Sequence, residues 1–474
     1  DVLPVSTPER SLGELKQITE EGDQRIPHKR LAVVHALRHA WKSYERVAFG
    51  ADEWKPIAGV RTNGYGLGLM IVDSLDTLWM AGLREEFERA VGWVRSSMRV
   101  NGGNRISFFE TTIRVLGGLL SAYELSGQEV LLEKASDLGH RLIKAFEAPS
   151  GLPYTQINLQ TGQHAMPSWL GGNLLLAEVG TSQMEFIALS KHTGDNSLRQ
   201  KAEKVFDVLD REGGPLSPQG GRMWPIHIRP ESGKPHGSTY SWGAMGDSYY
   251  EYLLKTWLLT GKRKEQYKRM YLESVRAMID KLVIVEDGLT YVAEIKNGRL
   301  EKKMDHLVCF VPGMLALGAQ HIPEVHDEHM DLAKRLVRTC YEMYARQTTG
   351  LAPEYVRFNG QMSVVNGGTH NLLRPEAIES VFYLYRFTRD PMYRKWGWRM
   401  FLAFETHCRV ASGGYVGVKD VNKPSSPKND NMETFFLAET LKYFLLLFSD
   451  DGALDLGAHV LNTEAHPLQV LPEG

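Results

Sequence analysis

Two segments carry carboxylates in positions where they could do chemistry. In Ser107-Phe-Phe-Glu-Thr-Thr-Ile-Arg, Glu110 and Arg114 stand four residues apart on one side of an otherwise apolar helix. A charged pair on such a cylinder must face a polar cavity or each other. A helix cap neutralised by its arginine explains the same residues equally well. In His370-Asn-Leu-Leu-Arg-Pro-Glu-Ala-Ile-Glu, Pro375 suits the first helical position. Glu376 and Glu379 then fall in the first turns, where the helix dipole favours their ionised forms. A general base must be ionised at working pH. Dipole compensation, with Arg374 as a surface partner, is the plainer reading. Against it, residues 381–385 are so apolar that this helix end is expected at a lined pocket.

Other candidates are weaker alone. Asp247 opens a helix among aromatics and could be a simple N-cap. Phe435, Phe436 and Glu439 lie on the last apolar helix, where the phenylalanines alone would be core. His306 opens another such helix, a setting in which a histidine is more often structural. The tail Leu461-Asn-Thr-Glu-Ala-His-Pro cannot continue a helix past Pro467; Thr463, Glu464 and His466 could thread back to the centre, but their composition favours a loop. No EF-hand, H-E-x-x-H or Walker string occurs, and Gly64-Tyr-Gly-Leu-Gly lacks the strand and acid of a dinucleotide site. Carboxylates from several helices, with arginines and aromatics, furnish a carbohydrate pocket. Paired acids acting on a glycosidic bond give a hydrolase without redox or phosphate cofactors.

The elements that must position these residues repeat. Helix-ending glycines at Gly127, Gly194 and Gly261 are spaced by 67 residues, with similar stops near Gly82, Gly318, Arg389 and Ser449. Seven helix starts precede them, near Asp73, Ser107, Ser182, Ser248, His306, Pro375 and Asp430. Ser107-x-x-Glu110, Ser182-x-x-Glu185 and Ser248-x-x-Glu251 fit the capping box. The helices after these starts are apolar on most faces. Amphipathic stretches alternate with them at 29–47, 84–98, 131–146, 198–209, 265–281, 326–344 and 392–404. Seven buried and seven amphipathic helices predict an all-α (α/α)7 barrel, with short β-hairpins at one rim near 151–158, 288–295 and 413–418. A closed ring suits the pattern better than an open solenoid, because neither terminal hairpin reads as a polar cap. The domain is expected over 28–474, with 1–27 as the remnant of an N-terminal stem. Inner-helix N-termini then converge at one end, which favours anionic side chains there.

With 474 residues, 43% hydrophobic, 24% charged and a net charge of −2, the chain has an ordinary globular composition. It offers no basic field for nucleic acid, and no apolar run approaches the roughly 18 residues of a membrane span. The first residue is Asp1, so a processed chain that has lost a signal or anchor is one reading. Cys309, Cys340 and Cys408 match no zinc pattern; buried thiols are the simplest reading, and one disulfide with one free thiol remains open.

Longer strings then add a resemblance. Glu110-Thr-Thr-Ile-Arg-Val-Leu-Gly-Gly, Gly246-Asp-Ser-Tyr-Tyr-Glu-Tyr, Lys303-Met-Asp-His-Leu-Val-Cys-Phe, His370-Asn-Leu-Leu-Arg-Pro-Glu and Asn462-Thr-Glu-Ala-His-Pro resemble the class I α-1,2-mannosidases, glycoside hydrolase family 47, in order from about His28 to Pro467. The resemblance implies calcium-dependent, inverting hydrolysis of terminal α-1,2-linked mannose from high-mannose N-glycans. It implies Glu110 as general acid, acting through a water, Glu376 as base, and Asp247 as a third catalytic carboxylate, with the proton donor left open between Glu110 and Asp247. Thr463 is the implied calcium ligand, while Glu376, Glu379, Glu439 and Glu464 hold the ion's waters. Arg114, His306, Arg374 and Phe435 match sugar-site positions, and Glu185 an outer glycan contact. Cys309 and Cys340 match the family's disulfide, which implies a secretory lumen, either endoplasmic reticulum or Golgi, or secretion. Met245 departs from the arginine of endoplasmic-reticulum members and the leucine of Golgi members, so a broader or Golgi-like branch preference is expected. A monomer is expected. The alternative is a lectin-like member that binds glycans on misfolded glycoproteins with little turnover; the presence of all three carboxylates and Thr463 favours the enzyme.

Overall fold

The computed structural model describes residues 3–18, 25–214 and 220–472. Outer helices α1 (Ile26–Ala48), α3 (Arg84–Ser96), α5 (Glu129–Leu142), α7 (Asn196–Glu212), α9 (Glu265–Lys281), α11 (His326–Ala345) and α13 (Pro391–His407) alternate with inner ones. The inner helices are α2 (Leu69–Met80), α4 (residues 108–126), α6 (Gln183–Thr193), α8 (Asp247–Leu259), α10 (Val311–His321), α12 (Glu376–Thr388) and α14 (residues 436–447). The helix α14 packs against α1 and α2, so the last hairpin meets the first and the ring closes as an (α/α)7 barrel.

The sorting into two layers follows from side-chain spacing. The outer helix α3 buries Phe87, Ala90, Val91 and Val94, three to four residues apart, and turns Arg89 and Arg95 outward. The inner helix α2 buries every residue from Leu69 to Leu78, including Asp73 and Asp76. Gly127, Gly194 and Gly261 end their helices with φ of 69°, 76° and 65°, a left-handed conformation that glycine adopts without strain.

Several expectations are corrected. Of the three capping boxes, only the Ser107 half forms: its hydroxyl accepts from the Glu110 N–H at 3.1 Å. Ser182 makes no side-chain cap, and Ser248 lies inside α8. The glutamates of all three turn inward, because Arg114, Tyr252 with Asn462, and Lys255 are stronger partners than a backbone N–H. Helix α2 starts at Leu69 rather than near Asp73. Asp430 precedes α14 by several residues and instead accepts from the Ile57 and Ala58 N–H groups. Residues Leu12–Gln17 form a helix with a complete Ser11/Glu14 capping box, Leu15 and Ile18 join the core, and the Trp398 indole N–H donates to the Ile18 carbonyl.

Short antiparallel sheets gather at the N-terminal ends of the inner helices. Arg105–Ser107 runs into α4, and Lys303–Asp305 into the turn His306–Phe310 before α10. The tail is the largest surprise. It is a hairpin of His459–Leu461 with Pro467–Gln469, and its tip, residues 462–466, is almost wholly buried inside the ring rather than a surface loop. Its polar groups can enter because Asp73 and Asp76 pair with His466, Arg114 with Glu464, and Lys442 with the Ala465 carbonyl, all four partners lying on inner helices. Cys309 and Cys340 form a disulfide that ties the turn before α10 to α11, and Cys408 is a free, buried thiol.

Candidate active site

The inner-helix N-termini surround a cleft of about 300 Å³ whose floor is the hairpin tip. Its lining contains eight carboxylates (Glu110, Glu178, Asp247, Glu251, Glu376, Glu379, Glu439 and Glu464) and two arginines, Arg114 and Arg374. A larger cleft of about 530 Å³ lies between α1 and residues 5–9, but its one acid, Glu9, is paired with Arg409 at 2.6 Å. It holds no paired carboxylates for acid–base chemistry.

Arg114 is the hub of one wall. Its Nε donates to Glu110 at 2.7 Å, and its Nη1 donates to Glu464 at 2.7 Å and to the Thr434 hydroxyl at 2.9 Å. The Phe435 ring centroid is 5.7 Å from the guanidinium. Wide π-turns at Thr111–Leu116 and Phe436–Thr440 interrupt the two helices that supply these side chains; such turns recur at functional sites because they re-aim neighbouring residues.

On the opposite wall, Glu376 Oε2 is 2.7 Å from His306 Nδ1, whose Nε2 is 2.8 Å from the Tyr344 hydroxyl. An ionised carboxylate only accepts, so Nδ1 donates to Glu376. Burial opposes the charge on Glu376. The His306 hydrogen bond and the positive charges of His306 and Arg374 outweigh it, and the pKa lies below the usual carboxylate range. Arg374 is itself held by Glu354, its Nε donating at 2.7 Å and 2.9 Å to the two carboxylate oxygens.

Asp247 has the opposite environment. Burial first, with the charges of Glu251 and Glu376 adding, pushes its pKa up to about 8 against the opposing hydrogen bond from the Ser248 N–H. Glu178 is likewise pushed up to about 8, by burial and then by Glu110. A carboxylate with a lowered pKa and another with a raised pKa in the same cleft are the equipment of paired general base and acid.

At the floor, the Thr463 hydroxyl donates to Glu251 at 2.7 Å, and Glu251 meets the Lys255 ammonium at 2.5 Å. Glu379, Glu439 and Glu464 are buried around this point, and burial together with neighbouring carboxylates pushes all three pKa values up. An all-oxygen donor set with an excess of buried negative charge fits a hard divalent cation such as calcium. Among the described residues no three His, Cys, Asp or Glu side chains converge as a ready-made cage, so such an ion would have few direct protein ligands.

Three residues with left-handed backbone adjoin the cleft: Met245 at φ 72°, Leu373 at 67° and Ala465 at 58°. None is a glycine, asparagine or aspartate, so each conformation is strained and must be held by its surroundings. Each carbonyl is held from another element: Met245 accepts from the Ala177 N–H at 3.0 Å, Leu373 from the Thr440 hydroxyl at 2.7 Å, and Ala465 from the Lys442 ammonium at 2.6 Å.

The cleft brings together Glu110, Arg114, Met245, Asp247, Arg374, Glu376, Glu379, Phe435, Glu439, Thr463 and Glu464, with His306 behind Glu376. It does not include Glu185. That residue is fully buried beneath the cleft, where it accepts from the Tyr252 hydroxyl at 2.6 Å and Asn462 Nδ2 at 2.7 Å, so the expected outer contact is corrected. Sequence reasoning missed Glu178, Glu251 as a site residue, and Glu354. An acid within Leu174-Leu-Leu-Ala-Glu-Val was the available signal for Glu178. Glu354 offers none.

The sequence model of Glycosyl hydrolase family 47 matches residues 36–470. The chain is 44% identical over 458 residues to the human endoplasmic reticulum mannosyl-oligosaccharide 1,2-alpha-mannosidase, covering 94% of this chain and 64% of that protein. It is 46% identical over 449 residues to Arabidopsis thaliana mannosyl-oligosaccharide 1,2-alpha-mannosidase MNS1, covering 94% of this chain and 79% of that protein. The solved alpha-1,2-mannosidase from Trichoderma reesei superposes with a TM-score of 0.86 at 26% identity, covering 94% of this chain and 99% of that one.

Proposed function

The chain belongs to glycosyl hydrolase family 47, and on that premise we propose that it hydrolyses terminal α-1,2-linked mannose from high-mannose N-glycans. The observation that carries this reading is the placement of Glu376, hydrogen-bonded to His306 at 2.7 Å, Asp247 and the Arg114-paired Glu110 around one cleft. Glu376 takes a proton from water, the water oxygen attacks the anomeric carbon, and the bond to the departing sugar oxygen breaks as that oxygen receives a proton. Burial pushes the Asp247 pKa up to about 8, whereas Glu110 is engaged by the Arg114 guanidinium at 2.7 Å, so we assign the donation to Asp247. Single displacement inverts the anomeric centre and releases β-mannose.

Calcium, when bound at Thr463, would hold sugar hydroxyls and waters and so fix the ring between the two carboxylates. The chain's own residues orient the rest: Arg114 and Arg374 present guanidinium donors and Phe435 an apolar face. Cys309–Cys340 supports a site of action in the oxidising lumen of the secretory pathway. Met245, 39% exposed at the cleft, offers no guanidinium to select one branch, which supports a broader or Golgi-like order of removal. The complete acid–base pair supports turnover over lectin-like binding. Release of mannose from α-1,2-mannobiose, abolished in Glu376→Gln, tests the reading; a Glu376→Gln protein as active as the wild type would overturn it.

A further inference from the structure

The segment that delivers Arg374 and Glu376 to the cleft is fixed at several points. Asn371 pairs through its backbone with Val418, its Nδ2 donates to the Ala352 carbonyl at 2.9 Å, and its Oδ1 accepts from the Leu373 N–H at 3.0 Å. Leu373 follows in the left-handed conformation, and its carbonyl accepts from the Thr440 hydroxyl at 2.7 Å. Leu373 and Thr440 are both fully buried, so the hydroxyl has no water to replace it. Thr440 closes the π-turn of α14, immediately after Glu439, and does not line the cleft.

We propose that Thr440 is a positioning residue: by holding the Leu373 carbonyl it keeps Leu373 left-handed, and so sets where Arg374 and Glu376 stand across from Asp247. A branched, buried residue reverts to the ordinary right-handed or extended regions once nothing holds it otherwise. Such a reversal at Leu373, three residues before Glu376, would rotate the peptide leading to Arg374 and swing the start of α12. A displacement of about 1 Å at a reacting group can cost a hundredfold in rate.

The inference rests on the proposed hydrolase reading, and the experiment separates the two. Wild type, Thr440→Ser and Thr440→Val are compared on α-1,2-mannobiose for kcat, KM and melting temperature. Serine keeps the hydroxyl, and valine keeps the shape without it. The expected result is near-wild-type kcat for Thr440→Ser and a kcat lower by about tenfold or more for Thr440→Val, with KM little changed and both proteins folded. Adding Leu373→Gly, for which the left-handed conformation is free of strain, to Thr440→Val should restore kcat while lowering the melting temperature. Equal kcat for the serine and valine variants would overturn the positioning role. So would a Thr440→Val loss confined to melting temperature. An inactive wild type would instead overturn the hydrolase reading.

Discussion

His306 links Glu376 to Tyr344: its Nδ1 lies 2.7 Å from Glu376 Oε2 and its Nε2 lies 2.8 Å from the Tyr344 hydroxyl, with the imidazole almost wholly buried. Glu376 is thereby kept ionised, so activity should persist down to its lowered pKa and fall below it as the base takes up a proton. Asp247, with its pKa at about 8, should lose its proton above that value and produce an alkaline fall. His306→Ala removes the hydrogen bond, raises the Glu376 pKa and should move the acid limb of kcat/KM to higher pH. An unmoved acid limb would remove His306 from this role.

The assignment of the proton to Asp247 predicts a split by leaving group. α-Mannosyl fluoride expels fluoride, which needs little protonation, so Asp247→Asn should keep a much larger share of its activity on the fluoride than on mannobiose. Glu376→Gln should lose both, since water activation is still required. Rescue of Glu110→Gln in place of Asp247→Asn would transfer the acid role to Glu110.

Lys442 is wholly buried and joins Asp76 at 3.0 Å to the Ala465 carbonyl at 2.6 Å. Lys442→Met leaves the buried Ala465 carbonyl without its donor and Asp76 to His466 at 2.7 Å and Ser121 at 2.9 Å, which should cost about 1–3 kcal/mol in urea unfolding. The turn that presents Thr463 also loosens, so calorimetry should report weaker calcium binding than in the wild type. Unchanged calcium affinity in a destabilised protein would confine Lys442 to folding.

Calcium itself should stabilise the fold. A ligand at a hundredfold excess over Kd adds about 2.7 kcal/mol, so chelation should lower Tm and readdition restore it. A Tm indifferent to both would exclude the ion from the floor of the cleft.

Met245 predicts the order of trimming. Digests of Man9GlcNAc2 should show removal from more than one arm at comparable rates, and Met245→Arg should narrow them toward one. Strict formation of the single middle-arm product by the wild type would contradict this.

Much of the barrel was legible because its signals are local. Gly127, Gly194 and Gly261 mark helix ends by backbone freedom alone, and spacing of three and four residues separates outer from inner helices. The site was legible where an acid sits in an apolar run beside a proline or an arginine, as at Glu376 and Glu110. Long-range pairing was not. Glu251 and Glu185 have the spacing of caps, but Lys255 and Thr463, or Tyr252 and Asn462, draw them inward. The tip at 462–466 reads as a polar loop until Asp73 and Asp76 are placed on either side of His466, at 3.1 Å and 2.7 Å. Strain at Met245, Leu373 and Ala465 leaves no mark in the sequence, since those residue types avoid the conformation they adopt.

The most direct measurement is release of free mannose from Man9GlcNAc2, with α-1,6-linked mannobiose as control. Hydrolysis of the α-1,2 linkages, with β-mannose as the first anomer seen by proton NMR and no attack on the control, is the predicted result. Saturable binding of the glycan with no mannose released would contradict the hydrolase and leave a lectin in its place.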